Sequence, residues 1–295
     1  MVIFLQTVDY HEPKWQNKNS IIGESPGLGL RPKQSKDLID SAIIMFNKDK
    51  KDARTEKEKE TDKVPHWNEW SERITDFLDE YTHENKTKDR RDDCTKDNGA
   101  TKDGFDTNGN KKFGACNFNV NQIKQRCGAN FGYDEGKPCI FLKLNKIFGL
   151  VNTPIDISMV SEGGEKISKG LEMPEETKKK TIDRELTLNK DQVWVDCYGK
   201  YPADKEALKG GITYIPETRG MPNFYFPYLK QEHFVAPLVA VKFAPRSVPG
   251  QLIHIECRAW AENIGYDRRD KIGINVFELQ IMDNKAAEEY NKSMQ

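Results

Sequence analysis

The chain has 295 residues, with 46 Lys plus Arg against 47 Asp plus Glu, for a formal net charge of −1 at pH 7. That balance excludes a general nucleic-acid binder, which needs a surplus of cations on one face. Only 36% of the residues are hydrophobic while 32% are charged, so the apolar blocks must form one core interrupted by long polar insertions.

At the start, Met1-Val2-Ile3-Phe4-Leu5 is apolar. A membrane span needs about 20 such residues, and a signal core at least about 7. Gly23-Glu24-Ser25-Pro26-Gly27 satisfies the GxSxG pattern of a serine nucleophile. That pattern needs a helix directly after the serine, and Pro26, Gly27 and Gly29 cannot start one. It reads as a turn. Ser41 to Phe46 is a short apolar run that suits a buried strand, and 48–63 is a mixed-charge run read as a solvated loop.

One helix is expected over about 65–82. Trp67, Trp70, Ile74, Phe77, Leu78 and Tyr81 recur at spacings of three and four, which makes an apolar stripe. Pro65 suits its first turn, and the stripe reads as a packing surface laid over a sheet. Residues 84–112 are rich in Asp, Asn, Gly and Lys and read as an irregular excursion. Ala115 to Val120 and Ile140 to Leu144 are expected strands, and 162–185 is a second charged insertion.

The last third alternates most cleanly. Ile253, Ile255, Cys257, Ala259 and Ala261 share one face, and His254, Glu256, Arg258, Trp260 and Glu262 share the other. Period two over that length is a half-buried strand. Val193, Val195 and Cys197 repeat the pattern earlier. Two inward cysteines on separate strands read as a bridge across a β-sandwich. Leu238 to Phe243 and Ile274 to Ile281 complete the strands. Many short strands with one inserted helix give the expected fold: mainly β, an immunoglobulin-like antiparallel β-sandwich carrying long polar insertions.

No catalytic constellation emerges, and no cofactor or metal site is expected. The histidines His11, His66, His83, His233 and His254 form no HxH or HxxxH pair, and His254 reads as a surface residue. Asp103 to Asn110 has the flavour of a calcium loop, but aligning Gly109 leaves Gly104 and Ala115 at ligand positions. There is no phosphate-binding glycine motif. Asn85-Lys86-Thr87 and Asn291-Lys292-Ser293 fit the N-glycosylation acceptor. The six cysteines contain no CxxC pair and fit an oxidising compartment. The sequence alone allows about 15 pairings. Phe224-Tyr225-Phe226-Pro227-Tyr228 cannot all face one way, so some of these rings must be exposed or meet a partner.

At this point the chain resembles a known family. Cys197, Phe224 to Tyr228, Leu238 to Val241 and the run Ile255-Glu256-Cys257-Arg258-Ala259-Trp260-Ala261-Glu262-Asn263-Ile264-Gly265-Tyr266 resemble the β-subunit of the sodium/potassium-transporting ATPase. Tyr133 to Ile140, Asn145-Lys146-Ile147 and Gly27 to Pro32 resemble further blocks of the same family.

The resemblance implies a non-catalytic glycoprotein at the extracellular side of the plasma membrane, and the catalytic α-subunit of a P-type ATPase as its partner. It implies, together with neighbour order, the disulfides Cys94–Cys116, Cys127–Cys139 and Cys197–Cys257. It further implies that the run Phe224, Tyr225, Phe226, Pro227 and Tyr228 contacts the α-subunit, with Phe226 standing where a tyrosine is usual. Residues 1–8 are expected to be the outer end of a membrane-proximal segment whose transmembrane helix this form lacks. Residues 9–295 would be the extracellular domain, with membrane association through the α-subunit or the missing span. The alternative is a secreted or adhesion glycoprotein using the same sandwich without a pump.

Overall fold

The computed structural model describes residues 13, 16, 25–33, 42–49, 64–82, 91–92, 94, 104–105, 111–112, 114–154, 191–209 and 211–294. The expectations for residues 1–8, for most of the run 48–63, for Asn85 and for the insertion 162–185 lie outside them.

The first half of the chain supplies β1 (Leu28–Arg31), β2 (Ala42–Asn47), α1 (Trp67–Thr82), β3 (Arg91–Asp92), β4 (Gly104–Phe105), β5 (Lys111–Lys112), β6 (Ala115–Cys116), α2 (Asn121–Cys127) and β7 (Cys139–Leu144). The second half supplies β8 (Gln192–Gly199), α3 (Pro202–Ala207), β9 (Ile212–Ile215), β10 (Gly220–Pro222), β11 (Val239–Phe243), β12 (Leu252–Trp260), β13 (Ile274–Met282) and α4 (Asn284–Ser293). Two sheets pack face to face. One has the order β1-β7-β11-β9, the other β10-β8-β12-β13-β2. The chain is therefore a mainly β sandwich. One edge departs from antiparallel pairing: β2 runs parallel to β13, with Leu279 opposite Ile44. Alternation marks a strand but says nothing of its direction.

Register explains the core. Leu30 and Val239 both lie opposite Leu142, and Val241 lies opposite Ile140, so these side chains share the inner face of the first sheet. Ile253 opposite Leu279 and Ile255 opposite Phe277 do the same in the second. Phe243 and Phe277 meet edge to face across the gap at 5.9 Å. Two polar links cross it as well. Asn275 Nδ2 donates to the Leu28 carbonyl at 2.8 Å, and the Cys197 N–H donates to Tyr214 Oη at 2.8 Å.

The cysteines form the pairs Cys94–Cys116, Cys127–Cys139 and Cys197–Cys257. The last does not cross the sandwich. Cys197 on β8 lies directly opposite Cys257 on β12, with the Cα atoms 4.0 Å apart. Both strands belong to the same sheet. The expectation of an inter-sheet bridge is corrected: inward facing is shared by cross-strand neighbours, so it does not imply opposite sheets.

α1 is the expected helix. Trp70, Ile74, Leu78 and Tyr81 are buried, and Phe77 meets Phe141 of β7 edge to face at 6.3 Å. Trp70 Nε1 donates to the Met45 carbonyl at 2.9 Å, which ties the helix to β2. The His66 N–H donates to Glu69 at 3.0 Å and caps the first turn. Of the strand expected over Ala115 to Val120, only Ala115–Cys116 is extended. The chain then turns into α2, whose last residue Cys127 is tied to β7 through Cys139. α4 is capped by Asp283, which accepts from the Ala286 N–H at 2.8 Å, and it buries Ala287 against Met45, Val64 and Met282. Among the described residues no helix is long and apolar enough to cross a membrane.

Candidate functional site: an aromatic turn and a buried carboxylate clasp

The aromatic run leaves the edge strand β10 through a 3-10 turn, Asn223–Tyr225, and reaches Tyr228 by way of a cis Phe226–Pro227 peptide. The turn sorts the rings. Tyr225 goes inward: it is 8% exposed and packs with the Cys94–Cys116 bridge. Its hydroxyl donates to the Asn117 carbonyl at 3.1 Å, and its ring meets Phe118 edge to face at 5.7 Å. Phe224, Phe226, Pro227 and Tyr228 stay partly exposed. Burial therefore makes Tyr225 an internal brace, against which Phe224 and Phe226 pack while keeping part of their surface exposed.

Tyr228 is fixed from several sides. Its carbonyl accepts the Gly149 N–H at 2.9 Å, and it forms a bridge with Phe148. Its ring lies 4.9 Å from that of Phe234, and Lys146 Nζ sits 5.3 Å from both ring centres. Gln231 closes the turn by donating to the Pro227 carbonyl at 2.8 Å and accepting the Leu229 N–H at 2.7 Å. A partly exposed ring held this firmly loses little freedom on docking, which favours binding.

A second constellation was not expected from the alternation. Glu256 faces outward from β12, yet it is wholly buried. The reason is the connection from β12 to β13, which folds back over the outer face. Arg268 on that connection binds Glu256 Oε2 at 2.6 Å, Arg258 binds Oε1 at 2.7 Å, and the Tyr198 hydroxyl also donates to Oε1. Tyr266 Oη accepts from Arg258 at 3.1 Å, beneath a guanidinium 4.0 Å from its ring centre. Burial pushes the Glu256 carboxyl up, but the Tyr198 hydroxyl and the two guanidinium groups outweigh it and hold the group below its usual value. Trp260, also expected to face solvent, is 5% exposed, with the Arg258 guanidinium 5.7 Å from its ring centre. Gly273 ends the connection at φ 64°, where a side chain would collide with the Gly265 carbonyl.

This clasp anchors distant segments. Ser25 Oγ accepts the Gly265 N–H at 3.1 Å, so the GxSxG serine serves a turn. Asn263 accepts the Thr153 N–H at 2.8 Å and donates to the Val151 carbonyl at 2.8 Å. His254, expected at the surface, is half-buried instead. It lies 3.6 Å from both Asp204 and Glu278 and edge-on to Tyr201.

Asn291 lies in the last turn of α4, half-exposed, and the Ser293 hydroxyl donates to the Tyr290 carbonyl at 2.7 Å. Of the calcium-like run, Gly104–Phe105 is paired with Lys111–Lys112 as a short ladder. Among the described residues no three metal-ligating side chains come together.

Comparison with known proteins places the chain in a family. The family model described as the sodium/potassium ATPase beta chain matches residues 1–277. The sodium/potassium-transporting ATPase subunit beta-1 of Drosophila melanogaster is 36% identical over 278 residues, covering 93% of this chain and 77% of that protein. The subunit beta-2 of the same organism is 33% identical, covering 95% of this chain and 78% of the relative. A probable subunit beta-3 of Caenorhabditis briggsae is 31% identical over 97% and 74%, respectively. With the match running through the aromatic turn, all six cysteines and the clasp, the chain belongs to the sodium/potassium ATPase beta chain family.

Proposed function

We propose that the chain is the non-catalytic β-subunit of a sodium/potassium-transporting ATPase. Residues 9–295 would stand on the extracellular side of the plasma membrane. It would bind the catalytic α-subunit during synthesis, support its assembly and export, and tune its handling of potassium. Tuning needs no chemistry from this chain. A partner that binds one pump conformation more tightly than another shifts the equilibrium by that difference in affinity.

The observation that carries the reading is the aromatic turn. Phe224, Phe226, Pro227 and Tyr228 form a preorganised, partly exposed patch of the residue types that anchor interfaces. Tyr225 supports that patch from beneath. Glycans at Asn85 and Asn291 would mark surface that the α-subunit leaves open. Co-expression with an α-subunit tests the function: the chain is expected to raise the amount of α-subunit reaching the cell surface. Export of the α-subunit that is the same with and without this chain would contradict it and favour a secreted or adhesion role.

A further inference from the structure

The outer face of the first sheet carries a row of cations that leads away from Tyr228, with Glu80 as the acid that acts on Arg31 and Lys143. Arg31 sits over the Phe77 ring at 5.7 Å and Lys143 Nζ over the same ring at 5.5 Å. Lys146 caps Tyr228, and Lys33 follows Arg31 along the chain. The heads of Lys33 and Lys146 are exposed, while Arg31 and Lys143 are half-buried. Among the described residues none of these four forms an ion pair.

Their proximity shows in Lys143. Burial first, then Arg31, hold its ammonium below the usual lysine value; Lys146 and Lys33 act in the same direction, and only Glu80 opposes them. β1 and β7 are antiparallel with Arg31 opposite Phe141, so the four cations form a row that starts with Lys146 at the Tyr228 end and finishes with Lys33 at the other. Like charges held together repel, and the repulsion is relieved when a surface of opposite sign closes over them.

We propose that the docking surface for the catalytic α-subunit continues from Tyr228 onto the basic strip Lys146, Lys143, Lys33 and Arg31, and that the α-subunit segment meeting it is acidic. The proposal rests on the docking role assigned to Tyr228. In this arrangement the rings supply buried contact area, and the cations fix orientation and speed encounter. The two half-buried members lie on the outer face of β1 and β7, so the strip is held on rigid strands.

The test uses the complete β chain co-expressed with the α-subunit and captured from detergent extracts at increasing NaCl. Three forms are compared: wild type, Lys33→Glu, which leaves the Lys146 contact with Tyr228 in place, and Tyr228→Ala. The charge reversal is expected to lower retained α-subunit by about tenfold at low salt, with the gap narrowing as salt screens the strip. Its melting temperature should match wild type or rise, because the Lys33 head is exposed and its repulsion with Lys143 is removed.

Retention equal to wild type at low salt would overturn the proposal. So would unchanged α-subunit retention with lost binding to phosphatidylserine vesicles, which would make the strip a lipid site. Tyr228→Ala reports on the docking role by itself. Loss there with none in the charge reversal rejects the strip alone; no loss in either rejects both readings.

Discussion

Cys197 and Cys257 face one another across neighbouring strands of a single sheet, their Cα atoms 4.0 Å apart. The bond joins residues 60 apart in sequence, and loop-closure entropy alone gives it about 4 kcal/mol of stabilisation. It does so without holding the two sheets together, a task left to inner-face packing such as Phe243 on Phe277. Peptide mapping without reduction should recover this pair linked. The double change Cys197→Ala with Cys257→Ala should lower stability by up to that amount while leaving β-sheet circular dichroism in place. Loss of the sheet signal under native conditions would show that the bond carries more of the fold than its position implies.

Glu256 gives a prediction with a sign. Its carboxyl is held below the usual value in the folded chain, so the unfolded chain binds the proton more readily. The resulting stability is fully present above the unfolded pKa, about 4, and is lost as pH falls through the lower folded value. Glu256→Gln should cost about 3–5 kcal/mol at neutral pH, because the largely buried Arg258 guanidinium loses its charged partner, while the half-exposed Arg268 can turn to solvent. The variant should also lose less stability than wild type between pH 5 and pH 3, taken as round values bracketing the carboxylate range. Urea unfolding of both proteins across that range reads both effects. An equal acid slope in the two would remove Glu256 from the account.

Much of this architecture was legible in the sequence, and the parts that were not share a cause. Period two placed the strands of the last third, and the stripe from Trp67 to Tyr81 placed α1. Periodicity is a local property. It could not tell that β8 and β12 lie in one sheet, nor that β2 joins β13 in parallel. Glu256 and Arg258 occupy outward positions, as their alternation says, but Tyr266 and Arg268 return to cover them. The inward turn of Tyr225 depends on Asn117, which lies 108 residues away in sequence. A buried Glu flanked by Arg258 and followed by Arg268 was a signal available in principle, since paired charges suit a covered face.

Tyr225 separates brace from interface. Tyr225→Phe removes the hydrogen bond to the Asn117 carbonyl and should cost about 1 kcal/mol. Tyr225→Ala also empties the space beside Phe118 and the Cys94–Cys116 bridge, and by analogy with buried Phe should cost about 3–5 kcal/mol. Thermal unfolding of the ectodomain measures both. A melting temperature unchanged by Tyr225→Ala would place the ring at the surface.

Asn85 follows α1 directly, and a glycan there is expected on material made through the secretory route. Asn85→Gln should increase electrophoretic mobility by one glycan, to the same extent as enzymatic removal at a single site. Identical mobility of the two proteins, in cells where the chain is shown to enter the endoplasmic reticulum, would remove the assignment.

The central claim is that the exposed end of the aromatic turn meets a catalytic α-subunit. Tyr228→Ala should weaken capture of the α-subunit by about 2 kcal/mol or more, as for a true interface anchor. The Tyr228 ring is partly exposed, whereas Phe226 packs on the core, so the ectodomain carrying this one change should keep most of its melting temperature. Co-purification from membranes, paired with that melting curve, is the decisive measurement. An intact fold with lost α-subunit is the expected result. An intact fold that retains the α-subunit in full would contradict the claim.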